Sequence, residues 1–125
     1  MNEEKSVDTM QLLLGLEPTK LPEKEIKLKR LSELAGQPVV FRIKGLPYNK
    51  AAELGKLEEF NVHCCLAGII EPSLKDKALL EHYGAPTAGE LLKKMLLPGE
   101  IEDISREIER LSGYRVTTIE DVKKK

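Results

Sequence analysis

Helix caps and helix breakers divide the C-terminal half of the sequence into short helical segments. Thr87 and Glu90 form a Thr-x-x-Glu capping box that begins the segment AGELLKKML, and Pro98, a residue tolerated in the first turn of a helix, begins the next segment. The apolar residues of this last segment recur at intervals of three, four and three, which is typical of one buried helix face: Ile101, Ile104, Ile108 and Leu111. Because Gly113 follows them, the helix is expected to end there. The sequence therefore predicts short, separately capped helices.

Three further segments precede these helices. Ser73 with Asp76 resembles a capping box, and Gly84 is suited to end the segment LKDKALLEHYG. After Pro47, the segment YNKAAELGKLEEF spaces its Ala and Leu residues three apart and offers an Asn near its start as N-cap. Residues 61–70, NVHCCLAGII, leave two interpretations open, because their apolar residues fit a helix face and also a buried strand. Length and the Ala and Leu content favour the helix.

Two segments of the N-terminal half show the alternation of β-strands. In EIKLKRL and in VVFRIKG, apolar residues occupy every second position. The connection LSELAGQP contains Gly36 and Pro38, which indicates an antiparallel pair joined by a loop longer than a tight turn. Two strands are not stable alone, so they must pack on the helices. The predicted fold is α+β, mostly α: an N-terminal antiparallel two-stranded β-hairpin packed on a bundle of four or five short helices.

Length and composition indicate one domain that spans residues 1–125. The chain is 41% hydrophobic and 33% charged, which is typical of globular proteins. Residues 1–9 and 115–125 are rich in polar and charged side chains and are expected to be flexible. The acidic start, MNEEKSVDTM, precedes only a short apolar run and fits neither a signal peptide nor a membrane span. A cytoplasmic location is therefore expected.

The charge balance argues against a nucleic-acid partner. The chain has 20 Lys and Arg residues against 21 Asp and Glu residues, whereas phosphate binding requires a basic surface. We expect neither nucleic acid nor a membrane as the main partner.

Residues with reactive side chains do not form a recognisable active site or metal site. His63, Cys64 and Cys65 are adjacent, but a structural zinc site needs four ligands in two spaced pairs, so small buried cysteines are the favoured interpretation. A metal or redox protein that uses these three residues is the less favoured alternative. No catalytic motif is present, and the carboxylates lie on charged helix faces rather than in the buried surroundings that shift a pKa. The sequence predicts no enzymatic activity, no cofactor and no metal.

The segment LLKKMLL holds more apolar residues than one face of a short helix can accommodate. Either the helix is the core of the helical half, or part of it is a contact surface for another chain. The second interpretation makes four residues candidates for client binding: Leu91, Leu92, Met95 and Leu96. Ile104 and Ile108 are assigned to the core.

The helix caps and the connections between the helices resemble those of a known family. The run EPSLKDKALLEHYGAPTAGELLKKMLLPGEIEDISREIERLSGY, with the upstream IKLKRLSELAGQPVVFRIKGLPYN, is similar to the XkdN-like tail assembly chaperones of long-tailed bacteriophages and defective prophages. The resemblance extends from about Ile26 to Tyr114. Its most specific parts are the opening at Glu71–Asp76, the joint at Leu96–Ile101 and the closing Leu-Ser-Gly at 111–113.

The resemblance implies a role in the host cytoplasm during virion assembly, with no place in the mature virion. Such chaperones bind the tape measure protein, a very long apolar helical chain, and keep it soluble until tail tube subunits polymerise around it. Many phages also make a longer frameshifted product whose extension contacts the tail tube protein. The terminal lysines, 123–125, are compatible with an A-rich slippery run. Several copies would act on one client, and a homo-oligomer is compatible with this role.

A generic helical adaptor or regulator without catalytic activity is the alternative function, because it would have the same composition. Gene context separates the two, since a tape measure gene should lie just downstream of a tail chaperone gene.

Overall fold

The computed structural model describes residues 8–17 and 20–122. The helices are α1 (Thr9–Leu14), α2 (Lys29–Ala35), α3 (Tyr48–Leu54), α4 (Phe60–Gly68), α5 (Lys77–Tyr83), α6 (Ala88–Met95) and α7 (Pro98–Leu111). The strands are β1 (Glu23–Lys27), β2 (Val40–Lys44) and β3 (Ile69–Glu71). The predicted α+β class, mostly helical, is confirmed, but the described residues form seven helices rather than four or five.

The sheet has three antiparallel strands in the order β1-β2-β3, not the two that were predicted. In the central strand, Phe41 lies opposite Ile26 of β1 and Ile43 lies opposite Ile69 of β3. Phe41 and Ile43 are buried, so this face of the sheet packs on the helices. The predicted sheet did not include β3, although a buried strand was one of the two interpretations of residues 61–70. This strand is three residues long and directly follows a helix, so that no local alternation marks it.

The connection between β1 and β2 is helix α2 and not the predicted loop. Residues 29–31, which were assigned to the first strand, begin this helix, because KRLSELA consists largely of good helix formers. Gly36 ends it in the left-handed conformation, with φ of 74°. The Val39 backbone N–H then donates a 2.8 Å hydrogen bond to Ser32 Oγ, which fixes the start of β2 against the helix.

The ambiguous segment 61–70 contains both of the structures that the sequence left open. Its first eight residues belong to α4, and Ile69 and Ile70 form β3. Both parts are largely buried, so an apolar run continues through the change of backbone conformation. Periodicity alone therefore could not separate them.

Helices α4 and α7 pack closely at the centre of the core. Cys64, Cys65 and Gly68 of α4 face α7, where Ser105 and Ile108 are fully buried. A Cβ atom on Gly68 would lie 2.5 Å from Ile108 Cδ1, so only glycine fits this contact. Small side chains on both helices thus set the distance between them.

Several predicted helix ends are present, and two differ. Thr87 Oγ1 accepts a hydrogen bond from the Glu90 backbone N–H, and Gly84 ends α5 with a positive φ, both as predicted. The N-cap of α5 is Asp76 alone, whose carboxylate accepts from Leu79 N. The N-cap of α3 is Pro47 rather than the predicted Asn49, because the chain enters helical geometry two residues earlier.

The two ends of the chain lie partly outside the described residues. The predicted flexibility of residues 1–9 concerns mainly 1–7, which the structure does not describe, whereas Thr9 begins α1. Near the other end, Arg115 forms a 2.6 Å ion pair with Glu109 of α7, and residues 117–122 lie outside helices and strands. Within the described ranges, no helix has the length and apolarity needed to cross a membrane.

Candidate protein-binding groove

The four residues predicted to bind a client lie in the core. Leu91 and Leu92 are fully buried, and Met95 and Leu96 are at most 8% exposed, because α6 is enclosed by α4, α5 and α7. The structure therefore agrees with the alternative interpretation of this segment as a core helix. Client binding by these side chains stays a prediction, and it would require α6 to leave its place. Ile104 and Ile108 are buried, as predicted.

The two cysteines are buried thiols in the α4–α7 contact. The Cys65 thiol donates to the Ile101 backbone oxygen at 3.4 Å, and the Cys64 thiol donates to the Ser105 backbone oxygen at 3.7 Å. Burial raises the pKa of Cys64 and raises the pKa of Cys65 to about 12, so both thiols are protonated at neutral pH. The prediction of small buried cysteines is confirmed. Among the described residues, no three His, Cys, Asp or Glu side chains are close enough to hold a metal ion.

A groove of about 580 Å³ lies between α3, α4 and the connection from β3 to α5. We call it the α3–α4 groove. Its floor is apolar and combines residues from distant parts of the sequence: Leu46, Pro47, Leu54, Leu66, Ala67, Ile69, Ile70, Leu74 and Ala88. Leu66 and Ile70 are only half-buried, so apolar surface remains accessible along the groove.

The rim of the α3–α4 groove is basic. Lys44, Lys50 and Lys75 line it together with His63 and Ser73, and no carboxylate belongs to this lining. Lys50 lies 3.7 Å from Glu53, whereas no carboxylate of the described residues lies within 4.0 Å of Lys44 or Lys75. An apolar floor with a basic rim, in which Lys44 and Lys75 form no ion pair among the described residues, is complementary to an apolar segment that carries acidic residues.

A second groove, between α2 and α7, is lined by both basic and acidic residues. There Arg30 donates two hydrogen bonds to Glu100, at 2.8 and 2.9 Å, and a third to the Met95 backbone oxygen. Lys24 pairs with Glu107 beside them. These hydrogen bonds hold the pKa of Glu100 and of Glu107 below the ordinary range of a glutamate. Glu100 and Glu107 are thus already engaged by basic residues of this chain, which leaves them less available to a partner.

The α3–α4 groove was not visible in the sequence. Its lysines stand at positions 44, 50 and 75 of the chain, and its floor comes from three helices, a strand and two connections. The only signal was indirect: Leu66 and Ile70 lie in the segment whose secondary structure stayed ambiguous. Accessible apolar side chains in a groove between helices are typical of surfaces that accept a helix of another protein.

The structure is thus a small α+β domain with an apolar groove that has lysines at its rim. The family model described as phage XkdN-like tail assembly chaperone protein matches residues 56–124. The chain therefore belongs to this family, as its sequence resemblance predicted, and it acts with protein partners in phage tail assembly. The match covers α4 to α7, whereas the resemblance extended further upstream, to about Ile26.

A solved structure has a similar fold. The crystal structure of the protein yqbn superposes with a TM-score of 0.59 at 21% sequence identity, and the comparison covers 79% of this chain and 92% of that chain. At this identity the likeness concerns the fold alone. Among curated proteins, none matches the chain.

Proposed function

We propose that this protein is a tail assembly chaperone that holds apolar segments of the tape measure protein in its α3–α4 groove and keeps them soluble until tail tube subunits polymerise around them. The observation that carries the proposal is the combination of an accessible apolar floor with three lysines and no carboxylate in the groove lining. Family membership supports a tail assembly role over that of a generic adaptor.

The preferred segment of the client is a short amphipathic helix with flanking acidic residues. Its apolar face would cover Leu66 and Ile70, while its carboxylates would approach Lys44 and Lys75. Partly exposed ion pairs contribute modestly, so each contact is weak and reversible. Several copies bound along one long client would still keep it soluble, because multiple weak contacts act together. Weak single contacts also permit removal when tube subunits arrive.

The test measures binding of overlapping labelled peptides from the tape measure protein by fluorescence anisotropy. Apolar peptides with acidic flanks should bind, and the double variant Lys44→Glu with Lys75→Glu should reduce their affinity at least tenfold. The matched control is the double variant Lys27→Glu with Lys29→Glu, the same total charge change in the α2–α7 groove, which should leave affinity within about twofold of the wild type. Circular dichroism verifies that each variant is folded.

Equal loss in the groove variant and in the control would assign binding to general electrostatics rather than to the α3–α4 groove. If no peptide of the tape measure protein binds the wild type, the proposed client is wrong. A further variant, Met95→Asp, addresses the earlier candidates Leu91, Leu92, Met95 and Leu96: if α6 opens to bind the client, this change should weaken binding in a folded protein.

We also propose a longer product, made by ribosomal frameshifting near the terminal lysines, whose extension contacts the tail tube protein. The support is the family membership and the Lys-Lys-Lys end of the sequence. Expression of the N-terminally tagged native gene with its downstream DNA should give a minor product heavier than the 125-residue chain. A single product mass would contradict the frameshift.

The remaining expectations concern where the protein acts. We propose that residues 1–125 work as one domain in the host cytoplasm and that the protein is absent from the mature virion. Mass spectrometry of purified virions should detect the tape measure protein and the tail tube protein but not this chain. Stoichiometric recovery of the chain from virions would refute the proposal.

A further inference from the structure

Helix α1 is an apolar segment without a partner among the described residues. None of its residues is buried, and its apolar side chains are between 58% and 76% exposed, together with a leucine that follows the helix: Met10, Leu12, Leu13, Leu14 and Leu16. Six residues form too short a helix to be stable alone in water. An exposed apolar cluster of this kind is typical of a contact surface.

The charges around α1 are complementary to the α3–α4 groove. Asp8 caps the helix and Glu17 follows its apolar residues, so that carboxylates flank the cluster on both sides. Residues 1–20 contain four acidic residues and two lysines. The groove has an apolar floor and a lysine rim without a carboxylate. Segment α1 thus has the properties required of a ligand for this groove: apolar, short and acidic at its flanks.

The segment that carries α1 joins the domain next to the groove. The Gly45 backbone N–H donates a 2.9 Å hydrogen bond to the Pro22 backbone oxygen, and Leu46 and Pro47, which line the groove, follow directly. Seven residue steps separate Gly15 from Pro22, a reach of at most about 25 Å. In the structure α1 stays exposed and does not occupy the groove of its own chain. Two facing copies could therefore each insert α1 into the other's groove around one two-fold axis.

We propose that the α3–α4 groove binds helix α1 of a second copy of this chain, by reciprocal exchange of the N-terminal segments. The exchange covers the apolar floor of both grooves while no client is bound. The proposal of self-association depends only on the contacts and charges of this chain. Only its consequence, competition between α1 and a client for the same groove, rests on the proposed function.

The experiment is analytical ultracentrifugation of the full chain over a range of concentrations, without a client. The wild type, 14.0 kDa as a single chain, should reach about twice this mass as its concentration rises. The double variant Lys44→Glu with Lys75→Glu replaces two of the three rim lysines and makes the rim of the groove net acidic, whereas the double variant Asp8→Lys with Glu17→Lys makes the flanks of α1 basic. Each variant alone should associate at least tenfold more weakly than the wild type.

An equimolar mixture of the two variants should recover association, because a basic α1 of one then meets the acidic rim of the other. Asp8 and Glu17 are exposed, so their substitution leaves the core untouched. The double variant Lys27→Glu with Lys29→Glu is the control for the groove variant and should associate like the wild type. Circular dichroism shows that every variant is folded.

Three outcomes would overturn the exchange: a single-chain mass at all concentrations, undiminished association of the groove variant or of the α1 variant, or a mixture that stays dissociated. Docking of α1 into its own groove would give the first of these. Because association is measured without a client, failure of the proposed function would leave these results unchanged. Conversely, a chain that stays single and still binds tape measure peptides through the groove would reject only the exchange.

Discussion

Replacement of Gly68 by alanine should weaken the contact between α4 and α7. A Cβ atom at this position would lie 2.5 Å from Ile108 Cδ1 and 2.8 Å from its Cγ1 and Cγ2 atoms. These atoms belong to a fully buried β-branched side chain, which has little freedom to rotate. The helices must therefore separate, and overpacking of this kind costs about 1–3 kcal/mol.

The helix propensity of alanine offsets part of this cost. Alanine is favoured over glycine within a helix by at most about 1 kcal/mol, and Gly68 is the last residue of α4, so the gain should be smaller here. The expected net destabilisation is about 1–2 kcal/mol. With a urea m-value of about 1.5 kcal/mol per molar, the unfolding midpoint should fall by roughly 1 M.

Urea unfolding followed by far-UV circular dichroism is the suitable assay, because the sequence has no Trp. Gly99→Ala is the matched control: no atom lies within 4 Å of the added Cβ, so the midpoint should stay constant or rise slightly. Ile108→Val removes the nearest atom and alone should cost about 0.5–1.5 kcal/mol. Combined with Gly68→Ala, it should cost at least about 0.5 kcal/mol less than the sum of the single changes. An unchanged midpoint for Gly68→Ala, or strict additivity, would refute the close-packing argument.

Three further predictions concern α6, the dependence of the unfolding free energy on acid pH, and the cysteines. Met95→Asp puts a carboxyl into the core and should cost several kcal/mol in the same urea assay; a folded variant of wild-type stability would show that α6 is accessible. The hydrogen bonds from Arg30 hold the pKa of Glu100 below its ordinary value of 4.5, so the stability from this pair is present above that pH and is lost as the pH falls through the lower folded value. Glu100→Gln should therefore flatten the acid dependence of unfolding, and an unchanged acid slope would contradict the assignment. Cys64 and Cys65 should resist a thiol reagent at neutral pH until urea exposes them, whereas rapid reaction of the native protein would show that the α4–α7 contact opens.

The sequence by itself predicted the features that depend on near neighbours. The cap at Thr87, the proline start of α7 and the glycine end of α5 are correct, because each needs only a few consecutive residues. The apolar face of α7 is also correct, since a spacing of three and four residues determines which side of a helix is buried. The same helix caps and connections led to the correct family.

Tertiary structure alone decided the remaining features. Strand β3 forms because Ile69 pairs with Ile43 of β2, which is distant in the sequence. The residues on either side of β3 do not indicate this pairing. The apolar residues of α6 are buried because α4, α5 and α7 enclose this helix. The sequence alone could not assign them to the core or to a contact surface, because it does not show which helices surround α6. The basic rim combines Lys44, Lys50 and Lys75. These lysines form no motif in the sequence, and only folding brings them to one groove. A single sequence records local preferences directly, whereas long-range proximity arises only when the core is packed.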